Sequence, residues 1–165
     1  MATNGLNSPV PKSYLKQKQM LDMQNKAVVD ALYKGLVNGH TQTAAKFLAS
    51  DLEWWFHGPR QCQHMMWVLT GKSVHTDFRF KPRRIEVVGD YVIAEGWEEK
   101  NAYWVHVWTL KDGIIVQLKE YFNTWLTVRK IRPKKSENGD ESNTLWQSQP
   151  KNVTCSSLPG LLLAI

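Results

Sequence analysis

Cysteine is scarce in this chain, with only Cys62 and Cys155 among 165 residues. The two lie far apart and fit no Cys-x-x-Cys or Cys/His spacing, so neither a disulfide framework nor a zinc site organises the fold. No apolar run approaches the roughly 20 residues of a membrane-crossing helix. Residues 1–12 are polar, carry Pro9 and Pro11, and contain no apolar stretch of the signal-peptide kind. The expectation is an intracellular chain, cytoplasmic, with the nucleus left open as a second location. Asn152-Val153-Thr154 matches a glycosylation sequon and, without a secretory signal, reads as a chance match. No internal repeat, Gly-x-Ser-x-Gly elbow or Gly-rich phosphate loop appears. The Cys, His and Asp residues show no triad spacing. The expected metal and cofactor complement is therefore none.

The composition is otherwise that of one globular domain: 42% hydrophobic and 22% charged residues, with a net charge of +6. The basic excess sits at Lys12, Lys16, Lys18 and Lys26, and again at Arg129, Lys130, Arg132, Lys134 and Lys135. Tyr14 alone is interleaved with these charges, so they read as solvated flanks rather than a nucleic-acid surface. Tryptophan is abundant. Seven of the eight lie between Trp54 and Trp125, inside the segment that reads as the core.

Order along the chain predicts an α+β fold, with helices first and then a curved antiparallel sheet enclosing a pocket. Val28, Ala31, Leu32 and Leu36 mark a helix over about 22–38, stopped by Asn38-Gly39. Thr41 is placed to cap a short second helix. Leu52, Trp54 and Phe56 alternate with Glu53, Trp55 and His57 in a strand over 51–57. Gly58-Pro59 breaks it, and 61–69 reads as a helix. Strands follow over 74–80, 84–88, 91–98, 103–110 and 114–123. Gly89-Asp90 and Asp112-Gly113 supply hairpin turns. The expected organisation is a flexible leader over 1–20, a folded domain over 21–130, and a basic linker with an apolar tail over 131–165. The tail either packs back on the domain or docks on a partner.

Three places could hold a ligand pocket or a catalytic group. Trp104, His106 and Trp108 share one strand face, and histidine is a ready acid or base near neutrality. The alternative is a core histidine satisfied by a backbone carbonyl. Glu120 shares a face with the apolar Ile114, Val116, Leu118 and Phe122. An unpaired carboxylate is costly to bury, so it either serves as base or hydrogen-bond donor, or pairs with a cation such as Arg129. Trp55 and His57 share a face at a strand end, where a bend after Gly58 could form a pocket mouth. The alternative there is a histidine that stabilises the turn.

The segments Asp51-Leu-Glu-Trp-Trp-Phe-His-Gly-Pro59, Cys62-Gln-His-Met-Met66 and Leu69-Thr-Gly71 resemble the plant wound-induced and senescence-associated family. So do Val92-Ile-Ala-Glu-Gly96, Trp104-Val-His-Val-Trp-Thr109, Gly113-Ile-Ile115, Glu120-Tyr-Phe-Asn-Thr124, Leu145-Trp-Gln-Ser148 and Pro159-Gly-Leu-Leu-Leu-Ala164. The resemblance spans about residues 25–165. It implies a nuclear transport factor 2-like cone, a bent sheet wrapped around helices with a hydrophobic cavity. That superfamily holds both enzymes and non-catalytic binding proteins, so the fold does not decide function. Its polyketide-cyclase-like members often carry Asp where this chain has Asn123, and Asn accepts no proton at neutral pH. Dimerisation through the outer sheet face is common in the superfamily and is expected here as a homodimer. The implied function is a non-catalytic stress or defence protein that holds a small apolar metabolite or supports enzymes of specialised metabolism. The rival is a cofactor-free isomerase, cyclase or dehydratase acting on a terpenoid or polyketide-like substrate, with His106 or Glu120 as base.

Overall fold

The computed structural model describes residues 9–72, 79–98, 102–131, 143–150 and 159–165. Helix α1 runs from Lys12 to Val37. It therefore begins well before the expected Asp22, and residues 12–20 of the expected leader are helical. The early turns contain good helix formers, yet Tyr14, Leu15, Met20 and Leu21 are exposed. An apolar stripe marks only the packed half of the helix. That stripe is Val29, Leu32 and Tyr33, with Val28 and Leu36 partly buried beside it, so the expected face is shifted to include Val29 and Tyr33. Gly39, at φ +71, ends α1, and the His40 N–H caps the Gly35 carbonyl at 2.8 Å.

Helix α2 (Thr41–Ala45) follows, with His40 rather than Thr41 at its N-cap. Strand β1 spans Leu48–His57. The helix expected over 61–69 is a 3-10 turn at Arg60–Cys62 and then α3 (His64–Leu69). Most of the strand expected over 74–80 lies outside the described residues. Arg79 and Phe80 are described and are not in a strand, although Phe80 is buried.

Strands β2 (Arg84–Val88), β3 (Tyr91–Glu98), β4 (Ala102–Lys111) and β5 (Ile114–Phe122) form the expected meander. Asp112 and Gly113 both take positive φ in the β4–β5 turn. The sheet order is β1-β5-β4-β3-β2, and β1 joins β5 in parallel, the one departure from the antiparallel expectation in this sheet. Its inner face packs on α1 around Val29, Leu32, Tyr33, Met65 and Trp108.

The outer face is buried too. Strands β6 (Leu126–Arg129), β7 (Thr144–Gln147) and β8 (Leu161–Ala164) form a second sheet in the order β7-β6-β8. Val128 and Trp146 pack there with Ile93, Tyr103, Val105 and Val107. The apolar tail thus packs back on the domain, the first of the two expected alternatives, through β7 and β8. They cover the outer surface of β3 and β4 to which the expected homodimer was assigned. Residues 132–142, most of the basic segment, lie outside the described residues.

Register explains one close packing. Gly96 stands opposite Trp104, and a Cβ built on it would lie 2.6 Å from the indole and 2.7 Å from the Lys81 carbonyl oxygen. Gly96→Ala is expected to destabilise the fold by about 1–3 kcal/mol through overpacking. An unchanged chemical-denaturation midpoint would show that the indole moves freely.

Candidate functional site

Two rungs of the main sheet build the site. One runs Ile85, Ala94, His106, Glu120, Phe56 across five strands. The next runs Val87, Val92, Trp108, Leu118, Trp54. Because strand side chains alternate, both rungs face α1. The small Ala94 stands beside His106, and the aromatic residues wall the remainder. The structure therefore brings Trp104, His106, Trp108 and Glu120 together on the inner face, all of them buried.

A polar chain runs through this core. The Trp108 indole N–H donates to the Tyr33 hydroxyl at 2.9 Å. Burial, followed by the Glu120 charge, pushes the Tyr33 phenol well above its ordinary range, against the Trp108 hydrogen bond. It thus remains a neutral donor. It lies 2.6 Å from His106 Nδ1. Where the hydroxyl donates there, the remaining His106 proton sits on Nε2, which lies 3.6 Å from Glu120 Oε1. The other Glu120 oxygen, Oε2, accepts from the Trp54 indole at 3.3 Å. Glu120 is therefore partnered by Trp54 and His106, not by Arg129, and His106 by Tyr33 rather than by a backbone carbonyl. Phe80 and Trp104 lie over the His106 ring with centroids at 4.9 and 4.5 Å.

Three polar atoms of this core lack a partner within hydrogen-bond distance: Trp104 Nε1, a donor, and His106 Nε2 and Glu120 Oε1, which face each other at 3.6 Å. Native interiors leave few such groups unmade.

Glu120 also acts on Cys62 at the end of the 3-10 turn and on His64 at the start of α3. Burial, reinforced by Glu120, pushes the Cys62 thiol up. A raised thiol holds less of the nucleophilic thiolate at neutral pH. Burial pushes His64 down, against the pull of Glu120 and Glu98. Asn123 has a structural part. In a left-handed conformation at φ 50, its side chain accepts from the Tyr103 N–H at 2.9 Å and its own N–H donates to the Tyr103 carbonyl at 2.6 Å.

Trp55 and His57 do not join this core. They project from the opposite face of β1 and line an open cleft of ≈ 400 Å³ with Gln117, Lys119 and Tyr121. Trp55 is 59% exposed, and its indole donates to Glu53 at 2.7 Å. Sequence reasoning missed Tyr33 and gave Trp54 no role. Tyr33 was findable, because it lies four residues after Val29 on the helical stripe. Nothing in the Trp54 spacing distinguishes a Glu120 partner from an ordinary core indole. Among the described residues no group of three His, Cys, Asp or Glu could hold a metal ion, and no helix is long and apolar enough to cross a membrane.

Comparison with known proteins places this core in a family. Wound-induced protein 1 of Solanum tuberosum is 38% identical over 107 residues, covering 61% of this chain and 100% of that protein. Senescence associated gene 20 of Arabidopsis thaliana is 36% identical over 110 residues, with coverage of 61% and 100%. Among solved structures, an LEH-like epoxide hydrolase of M. tuberculosis is 20% identical with a TM-score of 0.49, covering 61% of this chain and 84% of that one. An NTF-2 like protein of unknown function from Burkholderia xenovorans is 18% identical with a TM-score of 0.48, covering 61% and 83%. Residues 66–165 match the family described as wound-induced protein WI12, a segment that holds Trp104, His106, Trp108 and Glu120 and begins after Tyr33 and Trp54. The chain belongs to the wound-induced protein WI12 family.

Proposed function

We propose that this chain is a non-catalytic binding protein of plant stress or senescence, which holds a small, largely apolar molecule by one hydroxyl group. The observation that carries the reading is the set of unmade hydrogen bonds on the inner face: the Trp104 Nε1 donor, and the His106 Nε2 and Glu120 Oε1 atoms that face each other at 3.6 Å without closing a bond. A hydroxyl offers two acceptor sites and one donor, which is the complement of that set. The surrounding indole, phenyl and phenol rings suit an apolar body. The structural engagement of Asn123 supports binding over turnover, because the strand end offers no carboxylate there. Such a protein would act by carrying its ligand or by supplying it to enzymes of specialised metabolism as an accessory.

Native mass spectrometry of protein purified from plant tissue tests this. The expected result is one discrete small molecule, released on denaturation and absent from Glu120→Leu. Empty wild-type protein would sink the reading, since water would then be what satisfies the three atoms.

A second reading rests on His106 Nε2 facing the Glu120 carboxyl at 3.6 Å, with Tyr33 at the other ring nitrogen. Such a pair can move a proton, as a cofactor-free isomerase, cyclase or dehydratase of a terpenoid or polyketide-like substrate would require. Incubating the released molecule with the protein separates the two. Turnover that falls about 10²-fold in Glu120→Gln supports the enzyme; an unconverted molecule supports the binding protein.

A further inference from the structure

A second polar cluster lies on the opposite side of the main sheet and has no part in the site above. Glu95 is buried on the outer face of β3. Its Oε2 accepts from the Tyr103 hydroxyl and from the Gln149 N–H, and its Oε1 lies 3.2 Å from Arg84 Nε. Arg84 also donates to the Gln147 carbonyl at 3.0 Å and lies over the Trp146 ring at 4.6 Å. Arg84 Nε also lies 3.4 Å from Glu86 Oε1, so Arg84 is shared between two carboxylates, and the acceptor capacity of Glu95 is largely taken. Burial, followed by the Glu95 hydrogen bond, pushes the Tyr103 phenol far up, so it stays a donor.

What is left over is all of one kind. Trp97 Nε1, Trp146 Nε1 and Arg84 Nε are buried without a hydrogen-bond partner. Arg84 Nε is close enough to Glu95 for charge pairing but misaligned for a hydrogen bond. The neighbouring Arg83 side chain has no ion pair among the described residues, and only its backbone is engaged, with Glu95. Trp97 Nε1 and Trp146 Nε1 are thus orphaned donors, Arg84 Nε is paired by charge alone, and Arg83 is an unmatched cation. Arg83, Arg84, Trp97, Tyr103 and Gln149 line one cleft of ≈ 340 Å³ together with Glu95 and Gly96, and Trp146 is not part of its lining. The Trp97 and Tyr103 rings, 5.0 Å apart, form an aromatic wall.

We propose that this cleft binds a small, flat organic carboxylate. An acceptor-only, singly charged group satisfies donors that the chain itself leaves unmade, and guanidinium matches carboxylate geometry. The aromatic wall takes the flat body, and the volume lies near the lower end of the roughly 300–1,000 Å³ typical of ligand pockets. Gln149 follows β7, so the ligand bridges the main sheet and the C-terminal sheet.

Isothermal titration calorimetry on the full chain tests this with benzoate, its neutral analogue benzamide, and inorganic phosphate. Benzoate is expected to bind at least about tenfold more tightly than either control. Arg83→Gln, on the surface, and Trp97→Phe, which keeps the ring and loses the N–H, are each expected to weaken benzoate by about tenfold or more. Equal binding of benzamide would overturn the carboxylate. Tighter binding of phosphate would overturn the flat organic body. Unchanged benzoate affinity in Arg83→Gln, or no binding of benzoate up to about 10 mM, would overturn the site.

Discussion

Tyr33→Phe is expected to lower the stability of the fold by about 2–5 kcal/mol, although it removes a single oxygen atom. An ordinary intramolecular hydrogen bond contributes only about 1 kcal/mol net. Tyr33 differs because its hydroxyl serves two buried partners, accepting from Trp108 and sharing a hydrogen bond with His106 Nδ1. The variant leaves Trp108 Nε1 and His106 Nδ1 without partners in a core where both residues are fully buried. Each such orphan costs about 1–3 kcal/mol, and the costs add because both groups stay in place. Urea denaturation of the two proteins measures the difference. A second readout separates the network from mere packing. In the wild type, nitrogen chemical shifts should place the His106 proton on Nε2, and in Tyr33→Phe that preference should relax. A loss below about 1 kcal/mol with an unchanged tautomer would mean that the hydroxyl does not organise the site.

The legible parts of this molecule were those where one physical demand dominates. Alternation in β1 and β4 separates Trp54 from Trp55 and aligns Trp104, His106 and Trp108, because one face of each strand had to be buried. The turns at Gly89-Asp90 and Asp112-Gly113 were legible because positive φ is expensive for most side chains. Less visible were features with a non-local cause. The early turns of α1 bury little and so carry no stripe. The parallel pairing of β1 with β5 joins residues far apart in sequence. The outer sheet was hidden because its strands are four residues each, too short for a period to declare itself. A signal for it was nevertheless present: Tyr103, Val105 and Val107 make β4 apolar on both faces, the mark of a strand covered on both sides. For the site, shared faces identified Trp104, His106, Trp108 and Glu120. They could not say that Trp55 and His57 lie behind the sheet, since that follows from which face of β1 meets α1.

Removing residues 159–165 is expected to cost about 3 kcal/mol or more and to make the protein self-associate. Strand β8 lies parallel to β6, from Leu126 opposite Leu161 to Arg129 opposite Ala164. Its ends are tied by the Leu161 N–H to the Trp125 carbonyl at 2.7 Å and the Ile165 N–H to the Arg129 carbonyl at 3.0 Å. Leu161, Leu163 and Ile165 pack on the outer core. A fully buried Leu or Ile contributes about 1.5–3 kcal/mol, and three half-buried ones together contribute roughly 3. Truncation also leaves β6 with an open edge beside newly exposed apolar surface, a template for pairing between chains. Light scattering should then show larger species than the full chain forms, and denaturation a lower midpoint. Point variants check that the strand face is the cause. Leu163 packs inward and Leu162 is 60% exposed. Leu163→Ala should destabilise by about 1 kcal/mol or more, while Leu162→Ala should stay within about 0.5. Equal effects of the two would mean that β8 does not pack through alternate residues, and the outer sheet would lose its role as the cover of β3 and β4.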